Sequence, residues 1–297
     1  MHEITIISGK GGTGKTSVTA AFARLAGTSV ICDLDVDASD LPLLLSPQID
    51  ETLEFRAGKV AVLDKEACPE CGVCLRYCRF GAIMDGEDGI ILDTTRCEGC
   101  GVCAYFCRPG AISMADRLSG HWFRSRTQAG PMLHAALLPG EENSGKLIAL
   151  LRREAAALAE RDGFKLILSD GPPGIGCPVI SSISGTGYVV IVTEPTASGV
   201  HDLKQAADLC DHFRRPVGII LNKADLDRDH AAKVEALCRE RGYPVLASIP
   251  FEPAVMQALV RGRTLLDVSE AGVAAAITDA WNTLLPYAER ARRTDVP

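Results

Sequence analysis

Two groups of residues in this chain have types and spacings that could do chemistry. Residues 9–16 are Gly-Lys-Gly-Gly-Thr-Gly-Lys-Thr, which fits the pattern G-x-x-x-x-G-K-[ST]. Residues 68–107 hold eight of the twelve cysteines, at short and repeated intervals. The first pattern is typical of a loop that binds phosphate groups, and the second of a segment that binds a metal ion or an iron–sulfur cluster.

The glycine-rich segment lies between a short apolar run, 3–8, and a predicted helix, 15–26, which is the context that the phosphate motif requires. In such a loop, backbone N–H groups hold phosphate oxygens at the N-terminus of the helix. Lys15 would add positive charge at the β- and γ-phosphates, and the Thr16 hydroxyl would bind Mg²⁺. The predicted nucleotide-binding residues are Gly9, Gly11, Gly12, Thr13, Gly14, Lys15, Thr16 and Ser17.

Carboxylates follow two other apolar runs, and parallel strands present ligand-binding residues at this end. Asp33, Asp35 and Asp37 follow one run, and Asp170 ends another. An acid of the first group could orient the attacking water, with Asp35 favoured and Asp37 the rival, while Asp170 and Thr16 could hold Mg²⁺. The first three acids could instead form a solvated turn that caps a helix.

The cysteine block repeats itself after 29 residues. Segments 68–78 and 97–107 both read C-x₂-C-x₂-C-x₃-C, the spacing of bacterial ferredoxins, in which the fourth cysteine of each run binds the other cluster. We therefore expect two [4Fe–4S] clusters, with two zinc ions as the alternative. Arg79 and Arg108 stand where ferredoxins usually have proline. Crossed ligation assigns one cluster to Cys68, Cys71, Cys74 and Cys107, and the other to Cys97, Cys100, Cys103 and Cys78.

The form K-G-G-T-G-K-T, with Lys10 directly after the first glycine, resembles the deviant Walker A motif of the MinD/ParA/Mrp ATPases and the nitrogenase iron protein. The resemblance implies a nucleotide-dependent homodimer in which Lys10 acts catalytically across the interface; a solvated surface lysine is the alternative. It also implies that Asn222 reads the adenine edge and that Pro250 and Phe251 form the second wall of the base pocket. All three could instead be ordinary turn residues.

Taken with the cysteine block, the chain resembles MinD-superfamily ATPases that contain an inserted ferredoxin domain. The cofactors that this implies are ATP or ADP, Mg²⁺ and two [4Fe–4S] clusters. We therefore expect a discontinuous ATPase domain, residues 1–58 plus 119–297, and an inserted two-cluster ferredoxin domain at residues 59–118.

Continuous apolar runs alternate with predicted helices, as in a parallel sheet that is covered on both faces. The predicted fold is α/β, a doubly wound and mainly parallel P-loop NTPase sheet with an inserted α+β module of the bacterial ferredoxin type. A closing helix over 279–293 is expected to break near Pro286. The other predicted strands are 30–33, 165–170, 188–192, 217–221 and 244–249, and the other predicted helices are 147–161, 203–213 and 231–241.

Composition excludes several function classes. With 31 basic and 38 acidic residues the net charge is −7, which argues against a general nucleic-acid-binding surface. No apolar run approaches the roughly 18 residues of a membrane span, and residues 1–7 lack the pattern of a signal peptide. We expect a cytoplasmic protein that binds no nucleic acid and has little affinity for membranes.

The predicted function is ATP binding and hydrolysis that couples nucleotide state to electron transfer through two clusters, with a redox partner. Two alternatives stay open: an iron–sulfur carrier or assembly ATPase of the Mrp type, which would supply an apo iron–sulfur protein, and a redox-sensing positioning ATPase of the MinD/ParA type. Electron transfer comes first because the eight ligands form two complete sites. Cys177 is a candidate shared ligand or reactive thiol, with a buried thiol favoured, and His134 is favoured as structural over a place in the dimer interface.

Overall fold

The computed structural model describes residues 1–268 and 272–290, and the chain divides into two compact units. Unit 1 comprises Met1–Leu53, Trp122–Ala136 and the described part of Ser144–Pro297. Unit 2 comprises Glu54–His121 and Leu137–Asn143. The predicted insert, 59–118, falls inside unit 2.

Unit 1 is built on a mainly parallel sheet. The strand order is β11-β10-β9-β1-β8-β2-β7-β6-β3, and the boundary between the units falls within β3 and β6. The strands of this sheet are β1 (His2–Ser8), β2 (Val30–Asp33), β3 (Gln48–Leu63), β6 (Ile112–Thr127), β7 (Gly130–Leu137), β8 (Leu166–Pro173), β9 (Tyr188–Thr193), β10 (Val217–Asn222) and β11 (Val245–Ile249). The helices of unit 1 are α1 (Lys15–Ala26), α2 (Leu41–Leu45), α5 (Ser144–Asp162), α6 (Cys177–Ile183), α7 (Ala197–His212), α8 (Arg228–Arg241), α9 (Pro253–Val260) and α10 (Val273–Arg290).

Strand β1 is the centre of the sheet. It pairs in parallel with β8 and β9, so that Ile4 lies opposite Leu168 on one side and Tyr188 on the other. From Glu3 to Ser8 the strand is fully buried, because helices cover both faces of a parallel sheet. Continuous apolar runs therefore become the inner strands, and polar residues follow where these strands end.

The predicted MinD-like α/β sheet is confirmed, and its inner strands start and end close to the predicted positions. Helix α1 has the predicted bounds, whereas α5 and α8 each begin three residues before the predicted start. Helix α7 begins at Ala197, six residues before the predicted start at Leu203, since the Thr196 side chain accepts a hydrogen bond from Gly199 N and caps the helix. Strand β7 was not predicted.

The predicted break at Pro286 is wrong. Helix α10 continues through Pro286 to Arg290, and positions 291–293 of the predicted helix lie outside the described residues. Proline removes one hydrogen bond from a helix, but Ile277, Trp281 and Leu284 are buried in the core on one face of α10. Packing of this apolar face maintains the helix across the proline.

Unit 2 preserves the 29-residue repeat in its structure. Helices α3 (Val73–Tyr77) and α4 (Val102–Phe106) occupy equivalent positions, each preceded by a glycine with positive φ, Gly72 at 68° and Gly101 at 76°. Left-handed backbone favours glycine, which explains the Cys-Gly-Val-Cys sequence of each run. A two-stranded antiparallel sheet, β4 (Ile83–Gly86) with β5 (Gly89–Leu92), completes the unit.

Within 1–268 and 272–290, no helix is both long enough and apolar enough to cross a bilayer.

His134 lies inside unit 1, on β7. Its ring is 7% exposed, stacks on Phe123 with ring centroids 4.8 Å apart, and shares a hydrogen bond of 3.0 Å between Nε2 and Ser125 Oγ. Burial lowers the pKa of His134 to about 4. The folded state therefore keeps this imidazole neutral at pH values where an unfolded chain would protonate it.

We predict that acid destabilises the protein partly through His134. Between the unfolded pKa of about 6.5 and the folded value, the unfolded state binds a proton that the folded state does not, so stability falls as the pH decreases. His134→Gln should remove roughly 1–2 kcal/mol of the difference in unfolding free energy between about pH 7 and about pH 5. Urea unfolding at both pH values measures it, with His212→Gln, an exposed histidine, as the control. An equal pH dependence in both variants would contradict the prediction.

Candidate functional site

A cleft of about 780 Å³, open to solvent, lies in unit 1 at the carboxyl ends of the central strands. Strand β8 is inserted between β1 and β2, and β9 lies on the other side of β1. Such a change of direction along the sheet is where open α/β folds bind ligands. The cleft brings together three groups of predicted residues. Those lining it are Gly11, Gly12, Gly14, Lys15, Thr16, Ser17, Asp35, Asp37, Asn222, Pro250 and Phe251.

Two glycines of the loop are required by close approach. Gly14 has φ of 93°, and a Cβ atom there would lie 2.4 Å from Asn222 Nδ2. A Cβ atom on Gly9 would lie 2.4 Å from Asp202 Cβ. The loop therefore keeps its shape only with glycine at both positions, and its backbone N–H groups can face a phosphate group.

Lys15 is surrounded by carboxylates. Its side chain is 6% exposed, and Nζ lies 3.0 Å from Asp170 Oδ2 and 3.3 Å from Asp35 Oδ2. Burial by itself would lower the pKa of Lys15, but Asp170, Asp35 and Asp33 outweigh burial and raise it. Lys15 is therefore held as a cation at the start of α1, where phosphate groups bind in this type of loop.

The three acids after β2 have different surroundings. Asp33 is fully buried and accepts hydrogen bonds from Asp35 N at 3.1 Å and Ser39 Oγ at 2.8 Å. Burial, with repulsion from Asp170, raises its pKa to about 8. Asp35 contacts Lys15 inside the cleft, and burial raises its pKa too. Asp37 is exposed at the cleft wall, so Asp33 supports the turn and the other two carboxylates face the ligand space.

Asp170 is held by two hydroxyl groups in addition to Lys15. Thr16 Oγ1 donates to Oδ2 at 2.7 Å, and Thr19 Oγ1 donates to Oδ1 at 2.8 Å. Thr19 was missed by sequence reasoning. Thr19 lies one helical turn after Lys15, and its hydroxyl also contacts the Lys15 carbonyl at 3.0 Å. In the sequence, Thr19 therefore looks like an ordinary core position of α1.

Lys10 contacts residues outside the loop. Its Nζ donates to Ser198 Oγ at 3.0 Å and lies 3.9 Å from Glu194 Oε2. Lys223 binds the other oxygen of the same carboxylate, with Nζ 2.5 Å from Oε1. The Lys10 side chain is 36% exposed, and it does not line the cleft.

Asn222 has contacts that the sequence did not predict. Its Nδ2 donates to Thr13 O at 2.8 Å and its Oδ1 accepts from Lys223 N at 3.0 Å. The side chain therefore links the end of β10 to the phosphate loop.

Phe251 is 45% exposed beside the cleft, and its backbone N donates to Asp225 Oδ1 at 2.6 Å.

The eight clustered cysteines of unit 2 line two cavities. Each cavity contains three cysteines of one run and the last cysteine of the other run. The first set is Cys78, Cys97, Cys100 and Cys103, and the second is Cys68, Cys71, Cys74 and Cys107. Burial raises the pKa of the Cys74 and Cys103 thiols.

Neither set is a site for a single ion. Over the described ranges, no group of three or more His, Cys, Asp or Glu side chains could hold one metal ion. A cubane differs because each thiolate binds its own iron atom, so the ligands surround a larger group.

Arg117 supports the backbone of the second cysteine run. Its Nη1 donates to Cys97 O at 2.6 Å, and its Nε donates to Glu141 Oε1 at 2.6 Å. Both partners belong to unit 2, which explains why segment 137–143 is part of it. Sequence reasoning missed Arg117, because arginine and carboxylate are 24 positions apart with no pattern to connect them.

Cys177 is exposed at the start of α6, so the expectation of a buried thiol is wrong. The buried residues of this helix are Val179, Ser182 and Ile183. Helical periodicity places these three on one face and Cys177 off it.

We predict that Thr19 positions Asp170 for Mg²⁺. Thr19→Val keeps the shape but removes the donor to the carboxylate, and hydrogen bonds to charged groups contribute about 1.5–3 kcal/mol. Binding of a fluorescent ATP analogue should weaken about tenfold in Mg²⁺ and much less in EDTA. Thr5→Val, which removes another fully buried hydroxyl, one bonded to Thr186 Oγ1 at 2.9 Å, is the control. Mg²⁺-dependent binding equal to that of the control variant would rule out this role.

Known proteins resemble the chain over most of its length. An uncharacterized protein of Methanocaldococcus jannaschii is 32% identical over 96% of this chain and 97% of its own. The cytosolic Fe-S cluster assembly factor nubp2 of Xenopus laevis is 23% identical over 89% of this chain and 85% of its own. The crystal structure of the Pyrococcus furiosus cell division ATPase MinD has a TM-score of 0.58 and 19% identity, covering 96% of this chain and 98% of that chain.

The family comparison agrees with the geometry of the cleft. Residues 4–265 match the CobQ/CobB/MinD/ParA nucleotide binding domain, and this range includes the phosphate loop, Asp35, Asp170 and Asn222. The chain therefore belongs to the CobQ/CobB/MinD/ParA family of P-loop nucleotide-binding proteins.

Proposed function

We propose that this protein is an ATPase that binds two [4Fe–4S] clusters in unit 2 and uses its nucleotide state to control their delivery to apo-proteins. The observation that carries the proposal is the division of the eight cysteines between two cavities. Each cavity holds one complete set of four, in the crossed combination expected for a two-cluster ferredoxin.

The nucleotide half of the proposal uses residues at the carboxyl edge of the sheet. The loop N–H groups and Lys15 bind the phosphates, while Thr16 and Asp170, already joined at 2.7 Å, hold Mg²⁺. Asp35 orients the attacking water, because it lies in the cleft beside Lys15, and Asp37 is the rival at the cleft wall. Asn222, Pro250 and Phe251 enclose the base.

Lys10 is proposed to act in a homodimer. Its ammonium group is bound to Ser198 and lies near Glu194, and Lys10 does not line the cleft of its own subunit. Across an interface with a second nucleotide site, this lysine would neutralise developing phosphate charge. When the dimer forms, Lys10 would leave Ser198 and bind a phosphate group of the nucleotide in the second subunit.

The cluster half of the proposal uses the two cysteine cavities. The thiolates of Cys68, Cys71, Cys74 and Cys107 would hold one [4Fe–4S] group, and those of Cys97, Cys100, Cys103 and Cys78 the other. Such groups supply one-electron chemistry or serve as cargo for other proteins. The predicted ferredoxin-type insert at residues 59–118 supplies all eight ligands.

Delivery of clusters is proposed ahead of electron transfer for two reasons. Relatives that cover most of the chain are named Fe-S cluster assembly factors, at 21–23% identity. Each cavity also has one exposed ligand, Cys71 or Cys100, where an incoming thiolate can approach. Electron transfer is the second candidate, favoured by the completeness of both four-cysteine sets.

One experiment separates the two candidates. The protein is purified without oxygen and analysed for iron and sulfide, then mixed with an apo-ferredoxin, with and without Mg-ATP. Circular dichroism follows cluster arrival on the acceptor, and reduction of a holo-acceptor follows electron flow. Delivery predicts iron loss from the donor that matches the gain of the acceptor, whereas electron transfer predicts flux at constant iron. Purified protein without iron and sulfide would refute both.

Two loop lysines should give different phenotypes. Lys15→Ala removes the cation at the phosphates, so nucleotide binding should be lost, whereas Lys10→Ala should keep binding but lose ATP-dependent dimerisation and at least about tenfold of turnover. Calorimetry, sedimentation and phosphate release measure these effects. Iron content should be unchanged in both variants, which is the internal control. Turnover of Lys10→Ala equal to wild type would reject a role in trans.

The fourth cysteines test crossed ligation. Cys78→Ser should damage the cluster of the second run, and Cys107→Ser that of the first run, because each thiol lines the cavity of the opposite run. EPR spectra of the reduced variants, compared with Cys100→Ser and Cys71→Ser respectively, should match in pairs. If Cys78→Ser instead matched Cys71→Ser, ligation within each run would replace the crossed arrangement.

A further inference from the structure

Among the exposed aromatic residues of unit 2, three rings next to its cysteine runs contact one another. Tyr77 and Phe106 are stacked, with centroids 4.3 Å apart and ring planes 9° apart, and Tyr105 meets Phe106 edge-on at 5.1 Å. Tyr105 is 84% exposed, Tyr77 45% and Phe106 39%. We call these three residues the aromatic cluster. Aromatic side chains of this size release much free energy when they are covered, and they are enriched at protein interfaces.

The position of the aromatic cluster follows the internal repeat. Tyr77 ends α3 and directly precedes Cys78, and Phe106 ends α4 and directly precedes Cys107. Tyr77 also lines the cavity that contains Cys78. The rings therefore lie beside the two cysteines that cross between the cavities, so a partner that covers them comes close to both ligand sets.

Three arginines flank the rings in the chain. Arg76, Arg79 and Arg108 are exposed, and in the part of the chain that the structure describes no hydrogen bond or ion pair is recorded for their side chains. Most other arginines of the described chain are paired, as Arg117 is with Glu141 and Arg126 with Asp50. These cations are notable because the whole chain has a net charge of −7.

We propose that the aromatic cluster and its three arginines form a docking surface for an acidic protein that receives a cluster or an electron from unit 2. The proposal rests on the proposed function, because only a cluster-bearing unit 2 has something to deliver there. Positive charge steers and orients an acidic partner, while the rings supply the apolar contact area. Arginine and tyrosine are the residue types that contribute most at such interfaces.

The test measures binding separately from delivery. The probe is a small acidic bacterial ferredoxin in its apo form, titrated calorimetrically into the protein as purified. Binding should weaken at least about tenfold between about 50 mM and about 300 mM NaCl, because charge attraction is screened. Iron and sulfide are measured on the same samples. Absence of iron and sulfide would contradict the proposed function, whereas a change in the dissociation constant of the probe reports on docking.

Two variants address the two parts of the surface. Tyr105→Ala removes the most exposed ring and should weaken probe binding about tenfold, and Arg76→Glu should do the same and also reduce the salt dependence. Neither residue is a cluster ligand, so iron content should be unchanged. Matched controls on unit 1 are Leu226→Ala, which is 57% exposed, and Arg239→Glu, which is 74% exposed; they should bind the probe within about twofold of wild type.

Three results would overturn the proposal. One is unchanged probe binding in both surface variants. A second is binding to phosphatidylglycerol vesicles that is lost in these variants while the acidic probe does not bind, which would identify a membrane as the occupant. The third is a change of oligomeric state in the variants by sedimentation, which would identify a second copy of the chain. A sample without clusters that still binds the probe with the expected salt and variant effects would refute the proposed function and leave the docking surface standing.

Discussion

The contact on which unit 1 depends is the ion pair between Lys15 and the carboxylates at the ends of β2 and β8. Three acids, Asp33, Asp35 and Asp170, surround one buried ammonium group, so the site carries more negative than positive charge. Burial, together with repulsion from Asp170, raises the pKa of Asp33 to about 8, and the excess of negative charge makes the site favourable for a divalent cation, which would restore the balance. A nucleotide bound with Mg²⁺ then brings its negative charge to Lys15 and the loop N–H groups.

The order of strands makes this arrangement possible. Asp170 and Lys15 are 155 positions apart, but β1 and β8 are neighbours in parallel register, and the loop that leaves β1 leads into α1. Parallel pairing places the ends of both strands at one edge. The nucleotide site is therefore built by the inner strands, and their burial keeps it in place.

Much of this could be predicted from the sequence because the signals are local. The phosphate loop, the apolar strands and the cysteine spacing are each encoded within about twenty residues, so a motif identifies them. Asp35 was favoured over Asp37 from the sequence, but the full burial of Asp33 could not be predicted, since it depends on how the turn after β2 packs. Sequence analysis also did not identify the roles of Thr19 and Arg117 or the partners of Lys10. Each of these contacts joins positions that no periodic pattern in the sequence relates. The break expected at Pro286 failed because tertiary packing outweighed a local rule.

The two cavities of unit 2 bear on how a cluster could be both held and released. Burial raises the pKa of the Cys74 and Cys103 thiols, so a cluster bound under the proposed function would have to displace their protons. Cys71 and Cys100, at equivalent positions of the repeat, are exposed, so an incoming thiolate would reach these two ligands first. Exchange that begins at the exposed ligand would leave three thiolates in place. The nucleotide state would then need to control only how an acceptor protein reaches Cys71 and Cys100.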